Sequence, residues 1–220
     1  MIVHQIYFDF YGNGMNSLFK ESQKQFQLWC RENNYAYMFW TEADCDKLIF
    51  EYPQYLDMYL TAKYKIMKID ILRFIILHKY GGLYADLDVF PQIEKMQQEK
   101  DLYFVLDKCN GGRSKKYITN EVLQIKKNHA LPLNYLDYVK EQIIEKDQVE
   151  VYDVWKKRYV LQTTGVYAFT RFLKMHNYDF DFYTTNQLEF KTGTWDCVGS
   201  GDTENVDFKT HQSEAWYNAT

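Results

Sequence analysis

The chain opens with a short β-branched and aromatic run, residues 2–8, followed by a polar stretch with Gly12, Asn13 and Gly14. The first reads as a strand and the second as a loop. Leu18, Phe19, Ser22, Phe26 and Trp29 then recur at helical spacing, which predicts an amphipathic helix over 16–33. Residues 35–40 form a second strand-like run. Thr41 offers a cap with Asp44 three positions on, so a helix begins there. Another helical segment, 54–60, follows Pro53. The strongest helical pattern covers 62–80 and stops at Gly81-Gly82, the expected terminator.

Residues 83–90 read as a strand ended by Pro91, and 102–106 as a shorter one. The segment 109–116 is polar and Gly-rich and predicts a loop. Spacing suggests helices over 119–128 and 133–146, a strand over 159–164 and a further element from 166 to 173. Beyond 177 the pattern weakens, and Gly193, Gly199 and Gly201 mark loops. Strands alternating with helices predict an α/β class with a mostly parallel sheet. One domain over 1–220 is expected. In such sheets ligands sit beyond the carboxyl ends of the strands, which directs attention to the end of the 83–90 segment.

Composition narrows the picture. The chain has 220 residues, is 46% hydrophobic and has only 3 Pro and 10 Gly, which describes an ordered globular protein. The net charge is −4 with both signs interspersed, and the Lys/Arg clusters are short, so a nucleic-acid partner is not expected. Cys30, Cys45, Cys109 and Cys197 are scattered without a CxxC, which argues against a zinc site and for a reducing compartment. The N-terminus lacks the form of a signal peptide, and no apolar run has the length of a membrane span. A cytoplasmic location, in a microbe or a virus-infected cell, is the expectation.

Candidate chemistry lies in two places. Ile66, Met67, Ile69, Ile71, Leu72, Phe74, Ile75, Ile76 and Leu77 leave the helix almost no polar face, so it is buried. Asp70 and Arg73 nevertheless sit inside it, three apart on neighbouring positions. Burying charge is costly. Two readings follow: a structural ion pair, or a pair facing a cleft to bind a polar ligand. Downstream, the alternation of a strand would place Asp86 and Asp88 on one face, ~7 Å apart along the backbone. Two such carboxylates are either solvent-facing acids or hard oxygen ligands for a divalent cation, Mn²⁺ or Mg²⁺.

The blocks Lys68-Ile69-Asp70-Ile71-Leu72-Arg73-Phe74 and Tyr80-Gly81-Gly82-Leu83-Tyr84-Ala85-Asp86-Leu87-Asp88 decide between these readings. Together they resemble the DXD-motif sugar transferases, glycosyltransferase family 32. That family includes the yeast initiating mannosyltransferases and the α-1,4-galactosyltransferases, with the clostridial glucosylating toxins as distant relations. Val3-His4-Gln5-Ile6-Tyr7 is similar to the family's opening strand, Tyr37-Met38-Phe39-Trp40-Thr41 to its next one, and Leu161-Gln162-Thr163-Thr164-Gly165 to its Thr-Thr-Gly segment. Asn120 falls where the family often has Asn, and His211-Gln212-Ser213-Glu214-Ala215-Trp216 is similar to its closing His, Ser and Trp.

The resemblance implies a GT-A fold and a retaining transfer from a nucleotide-sugar donor, UDP-linked by preference, to a glycan, lipid or protein hydroxyl. It implies that Asp70 and Arg73 hold the donor's sugar hydroxyls and phosphates, that Asp86 contacts ribose and sugar, and that Asp88 binds the metal. His211 is a candidate metal ligand, Ser213 and Trp216 close over the diphosphate, and Tyr7, in place of the family's usual Trp, stacks on the base. Asn120, Thr163 and Thr164 are candidate acceptor or sugar contacts. His4 reads as a core histidine. The alternatives are a Mg²⁺-dependent phosphotransferase or phosphatase, whose Lys and later acidic pair are not evident, and a non-catalytic sugar-binding protein on the same fold.

Overall fold

A computed structural model describes residues 1–108, 116–147, 156–183, 185–186 and 207–210. Its first half follows the predicted alternation: β1 (Ile2–Tyr7), α1 (Ser17–Glu32), β2 (Ala36–Thr41), α2 (Glu42–Ile49), α3 (Pro53–Leu60), α4 (Lys65–Tyr80), β3 (Gly82–Ala85) and β4 (Val89–Pro91). Then come β5 (Leu102–Lys108), β6 (Lys116–Ile125), α5 (Leu131–Asp147), α6 (Lys156–Thr163), α7 (Val166–Met175), β7 (Asp181–Tyr183), β8 (Thr185–Asn186) and β9 (Phe208–Thr210).

Among the described residues the main sheet has the order β2-β1-β3-β6-β5-β7. β1 lies parallel to β2 and β3, and β7 parallel to β5, while β6 alone runs the other way. The mostly parallel α/β sheet is therefore as expected. A small second sheet, β4-β9-β8, takes over where β3 ends.

Side-chain alternation divides the core between the two faces of the sheet. Val3, Leu83, Ala85 and Val89 pack with Phe26, Trp29 and Cys30 of α1. Ile6, Trp40 and Tyr84 belong to the larger cluster with Ile71, Leu72, Ile75 and Ile76 of α4 and Phe169 and Phe172 of α7. α4 is buried continuously from Ile69 to Leu77, as its all-round apolarity predicts. Caps hold the flanking helices in place. The Asn16 side chain accepts from the Phe19 N–H, and Thr41 with Asp44 forms the anticipated capping box. Among the described residues, no helix is long and apolar enough to cross a membrane. Cys30 and Cys45 are buried free thiols.

Gly81 and Gly82 carry the chain from α4 into β3 with φ of 66° and 103°. A Cβ on Gly82 would lie 2.1 Å from the Ile2 carbonyl oxygen, and one on Gly81 2.5 Å from the Lys127 nitrogen. Glycine is thus required twice over, by dihedral and by space.

Three expectations are corrected. The 119–128 segment is not helical but part of β6. Val122 to Ile125 are buried one after another, so a strand covered on both faces shows no alternation and its apolar run can pass for helix. The 159–164 segment, β-branched and aromatic, is not a strand but most of α6. Its Thr163 hydroxyl donates to the Tyr159 carbonyl at 2.8 Å, the back-bond that lets threonine sit in a helix. Finally, 83–90 is not one strand; it breaks between β3 and β4.

His4 is the core histidine anticipated. The indole N–H of Trp40 donates to Nδ1 at 3.2 Å, so Nε2 carries the proton and donates to the Gly81 carbonyl at 2.9 Å. Burial lowers its pKa to about 4, against the backbone hydrogen bond that raises it. The folded protein therefore takes up this proton later than the unfolded chain does. The resulting stability is complete above pH 6.5 and falls away as pH drops through about 4, a loss of about 3 kcal/mol. Urea unfolding at pH 7 and pH 4 is expected to show this component in the wild type and not in His4→Gln; equal acid sensitivity in the two proteins would count against it.

Candidate active site

β3 ends at Ala85, and the chain turns at once. The Asp86 N–H donates to the Glu121 carbonyl at 2.8 Å, and the Val89 N–H closes back on the Asp86 carbonyl at 3.1 Å. Asp86 and Asp88 thus sit on a tight turn at the carboxyl end of β3, not on one face of a continuous strand as alternation suggested. Leu87 between them is buried, while both acids are partly exposed. The turn is anchored from the α1 side. Gln5 Nε2 donates to the Ser22 hydroxyl at 3.2 Å and toward the Asp86 carbonyl at 3.4 Å, and Ser22 Oγ donates to the Val89 carbonyl at 2.5 Å. The Tyr37 hydroxyl fixes the amide by donating to Gln5 Oε1 at 2.8 Å. Gln5 stands between His4 and Ile6 in a buried strand, and a polar amide there is the signal in the sequence for this anchor.

Behind the turn stands the pair from α4. Asp70 and Arg73 are 5% and 2% exposed, so they form a wall of the site with little surface of their own. Arg73 Nη2 lies 3.0 Å from Asp70 Oδ1 and 3.4 Å from Asp86 Oδ1, and Nη1 donates to the Asn120 carbonyl. The guanidinium lies 4.8 Å from the centre of the Tyr84 ring, whose hydroxyl donates to Asp86 Oδ1 at 2.6 Å. Asp70 also accepts from the Asn120 amide at 3.2 Å and from the Thr164 hydroxyl at 2.6 Å. The structure therefore brings Asp70, Arg73, Asp86, Asn120 and Thr164 into one network, and adds Tyr84. Arg73 Nε is buried without a partner among the described residues.

Charge is unbalanced here. Burial pushes the Asp86 carboxyl up to about 7; Arg73 opposes this, Asp88 adds to it, the Tyr84 hydrogen bond opposes it and Asp70 adds to it. Asp70 is raised too, by burial against Arg73, Thr164 and Asn120. The one guanidinium lies beside both Asp70 and Asp86, and Asp88 adds a third carboxylate next to Asp86, so a divalent cation, with its preference for hard oxygen donors, fits the turn. No group of three His, Cys, Asp or Glu that could hold a metal occurs among the described residues. Further donors would come from a bound diphosphate, from water or from elsewhere in the chain. His211, Ser213 and Trp216 lie outside the described residues, as does most of the 109–116 loop.

Tyr7 closes β1 at the same end of the sheet, three residues beyond the His4–Tyr84 register. It is partly exposed and stacked on Phe39, with ring centroids 6.5 Å apart. The next loop wraps around Asp9, whose carboxylate accepts from the Tyr11, Gly12 and Gly14 N–H groups, and the Lys65 ammonium at the start of α4 donates to its carbonyl at 2.9 Å. Thr163 is fully buried with its hydroxyl turned onto its own helix, so it holds α6 and does not line the cleft.

The chain is similar to known proteins. Residues 19–103 match the family described as the glycosyltransferase sugar-binding region containing a DXD motif, and residues 68–181 match the TcdA/TcdB catalytic glycosyltransferase domain. The chain is 42% identical over 57 residues to inositol phosphoceramide mannosyltransferase 3 of Schizosaccharomyces pombe, covering 26% of this chain and 16% of that protein. It is 43% identical over 56 residues to the mannosyl phosphorylinositol ceramide synthase CSH1 of Saccharomyces cerevisiae, covering 25% and 15%. The matched segment thus spans about a sixth of those relatives. Among solved structures, the PaToxG glycosyltransferase superposes with a TM-score of 0.52 at 14% identity, over 79% of this chain and 68% of that one, which supports the GT-A fold. With more than half of its length matched, the chain belongs to the TcdA/TcdB catalytic glycosyltransferase domain family.

Proposed function

We propose that the protein transfers a hexose, with retention of configuration, from a nucleotide-sugar donor to a hydroxyl acceptor, in a reaction that depends on Mn²⁺ or Mg²⁺. The acidic turn backed by a buried arginine carries this reading. A divalent cation held by Asp88 and Asp86 would act as a Lewis acid on the leaving diphosphate. Arg73 lends fixed positive charge behind Asp86, and Tyr84 aims one Asp86 oxygen, so the turn is organised before any ligand arrives. Tyr7 offers a ring face to the base, and Asp70, held by Arg73, Asn120 and Thr164, shapes the sugar pocket. His211, Ser213 and Trp216 are the candidates to complete the diphosphate site. With Asp70 enclosed by partners, front-face attack assisted by the departing phosphate suits the geometry better than a covalent sugar on that residue.

UDP-glucose, UDP-galactose and GDP-mannose are the donors to compare, GDP-mannose because the curated relatives are named for mannosyl transfer. Those names also place a phosphoinositol lipid among the acceptors to try. A melting-temperature panel with Mn²⁺ and each donor is expected to single out one nucleotide sugar by its stabilising shift, and the same sugar should release nucleoside diphosphate only with the cation present. Release of inorganic phosphate in its place would turn the assignment toward a phosphatase.

A further inference from the structure

We propose that Glu121 is a positioning residue that clamps both ends of the acidic turn and so sets its affinity for the cation; this rests on the transferase reading of that turn. The observation is a bulge. β6 pairs with β5 on either side of residues 120–122, since Phe104 stands opposite Leu123 while Val105 stands opposite Thr119. The residues between are looped out of the β5–β6 ladder but keep their pairing with β3, where Val122 stands opposite Ala85 and the Glu121 carbonyl meets Asp86. Bulges beside functional sites commonly re-aim side chains in this way.

Asn120 and Glu121, freed from β5, turn polar groups toward the site. Asn120 serves Asp70 through its amide and Arg73 through its carbonyl. Glu121 holds the turn at two places. Its carbonyl accepts the Asp86 N–H at 2.8 Å. Its carboxylate accepts the Thr210 hydroxyl at 3.3 Å through Oε2 and the Thr119 hydroxyl at 3.3 Å through Oε1. Thr210 is fully buried and stands opposite Val89 in the β4–β9 ladder. One residue thereby fixes residue 86 directly and residue 89 through β9. Those are the two ends of the turn, and their spacing governs how the carboxylates of Asp86 and Asp88 converge. Two hydroxyl donors on one side chain call for an acceptor at each oxygen, which a carboxylate provides and an amide does not.

The test reads Mn²⁺ binding by electron paramagnetic resonance without donor, on the wild type, Glu121→Ala, Glu121→Gln, Thr210→Val and the Glu121→Ala/Thr210→Val double variant. Outer partners of metal ligands typically contribute about 10–100-fold in affinity. Glu121→Ala is expected to need about 10-fold more Mn²⁺ for half-saturation, Thr210→Val to move the same way, and Glu121→Gln to fall between Glu121→Ala and the wild type. The double variant should be no worse than Glu121→Ala, because both changes cut one connection. Unchanged half-saturation in Glu121→Ala, or losses that add in the double variant, would overturn the clamp; if Glu121→Ala does not fold, Thr210→Val alone decides. Nucleoside diphosphate release on the same proteins separates the two ideas. A wild type that binds Mn²⁺ yet cleaves no nucleotide sugar removes the transferase reading and leaves the clamp. An active wild type whose Mn²⁺ binding ignores Glu121 and Thr210 removes the clamp alone, and a wild type that holds no Mn²⁺ removes both.

Discussion

Asp88→Ala is expected to lower cation-dependent release of nucleoside diphosphate by about a thousandfold, equivalent to about 4 kcal/mol of barrier, while the protein stays folded. The asymmetry follows from where Asp88 lies. It sits partly exposed on the turn, away from the main-chain bonds to Glu121, Gln5 and Ser22 that hold the turn in place. Its removal would take away the proposed metal ligand and little packing. A second signature should accompany the loss. Asp88 is one of the charges that raise the Asp86 carboxyl, so Asp86 in the variant should titrate below its wild-type value of about 7. A variant with full activity would remove the metal role of Asp88, and an unmoved Asp86 would remove the electrostatic link between them.

Arg73→Met is expected to cost about 3–5 kcal/mol of folding stability, the usual effect of leaving a buried charge without its partner. Here the arginine answers to Asp70 at 3.0 Å, Asp86 at 3.4 Å and the Asn120 carbonyl at once. Arg73→Lys should lie between, because an ammonium lacks the planar fork that reaches several acceptors, and it should also weaken donor binding. The sign with pH is fixed by the carboxyls left behind. Asp70 and Asp86 are raised in the folded state, so each contributes stability that is complete below the unfolded carboxyl pKa and is lost as pH rises. Without Arg73 that loss deepens, so the deficit should be largest near neutrality and shrink toward pH 4. Urea midpoints across pH would show it; a deficit that is flat with pH would mean that Arg73 acts through packing alone.

Much of this was legible in the chain, and for stated reasons. The first strands, α1, the capping box on Thr41 and the long apolar helix ending at Gly81-Gly82 are local patterns, and local patterns survive folding. Asp70 and Arg73 stood out because charge inside an all-apolar helix needs a partner. What stayed hidden was non-local. The turn after Ala85 is closed by the Val89 N–H on the Asp86 carbonyl and anchored by the Glu121 carbonyl, 35 residues from Asp86 in sequence, which no strand periodicity encodes. β6 resembles a helix in sequence because burial on both faces erases alternation. α6 resembles a strand in sequence because Tyr159, Val160 and Thr163 favour strands by propensity, while their surroundings impose a helix. Gln5, Ser22, Tyr84 and Glu121 went unassigned because each acts by holding another residue, and such roles show only once the neighbours are known.

The two glycines between α4 and β3 form a stiff joint, with Asp70 and Arg73 on one arm and Asp86 on the other. Every missense change of a single base in a glycine codon adds a side chain, and at both positions that side chain strikes main-chain atoms. Mutational drift is therefore barred from the joint. Gly12 and Gly14 differ in degree: nothing lies within 4 Å of an added Cβ, so a side chain there would meet only the strain of a φ of 72°.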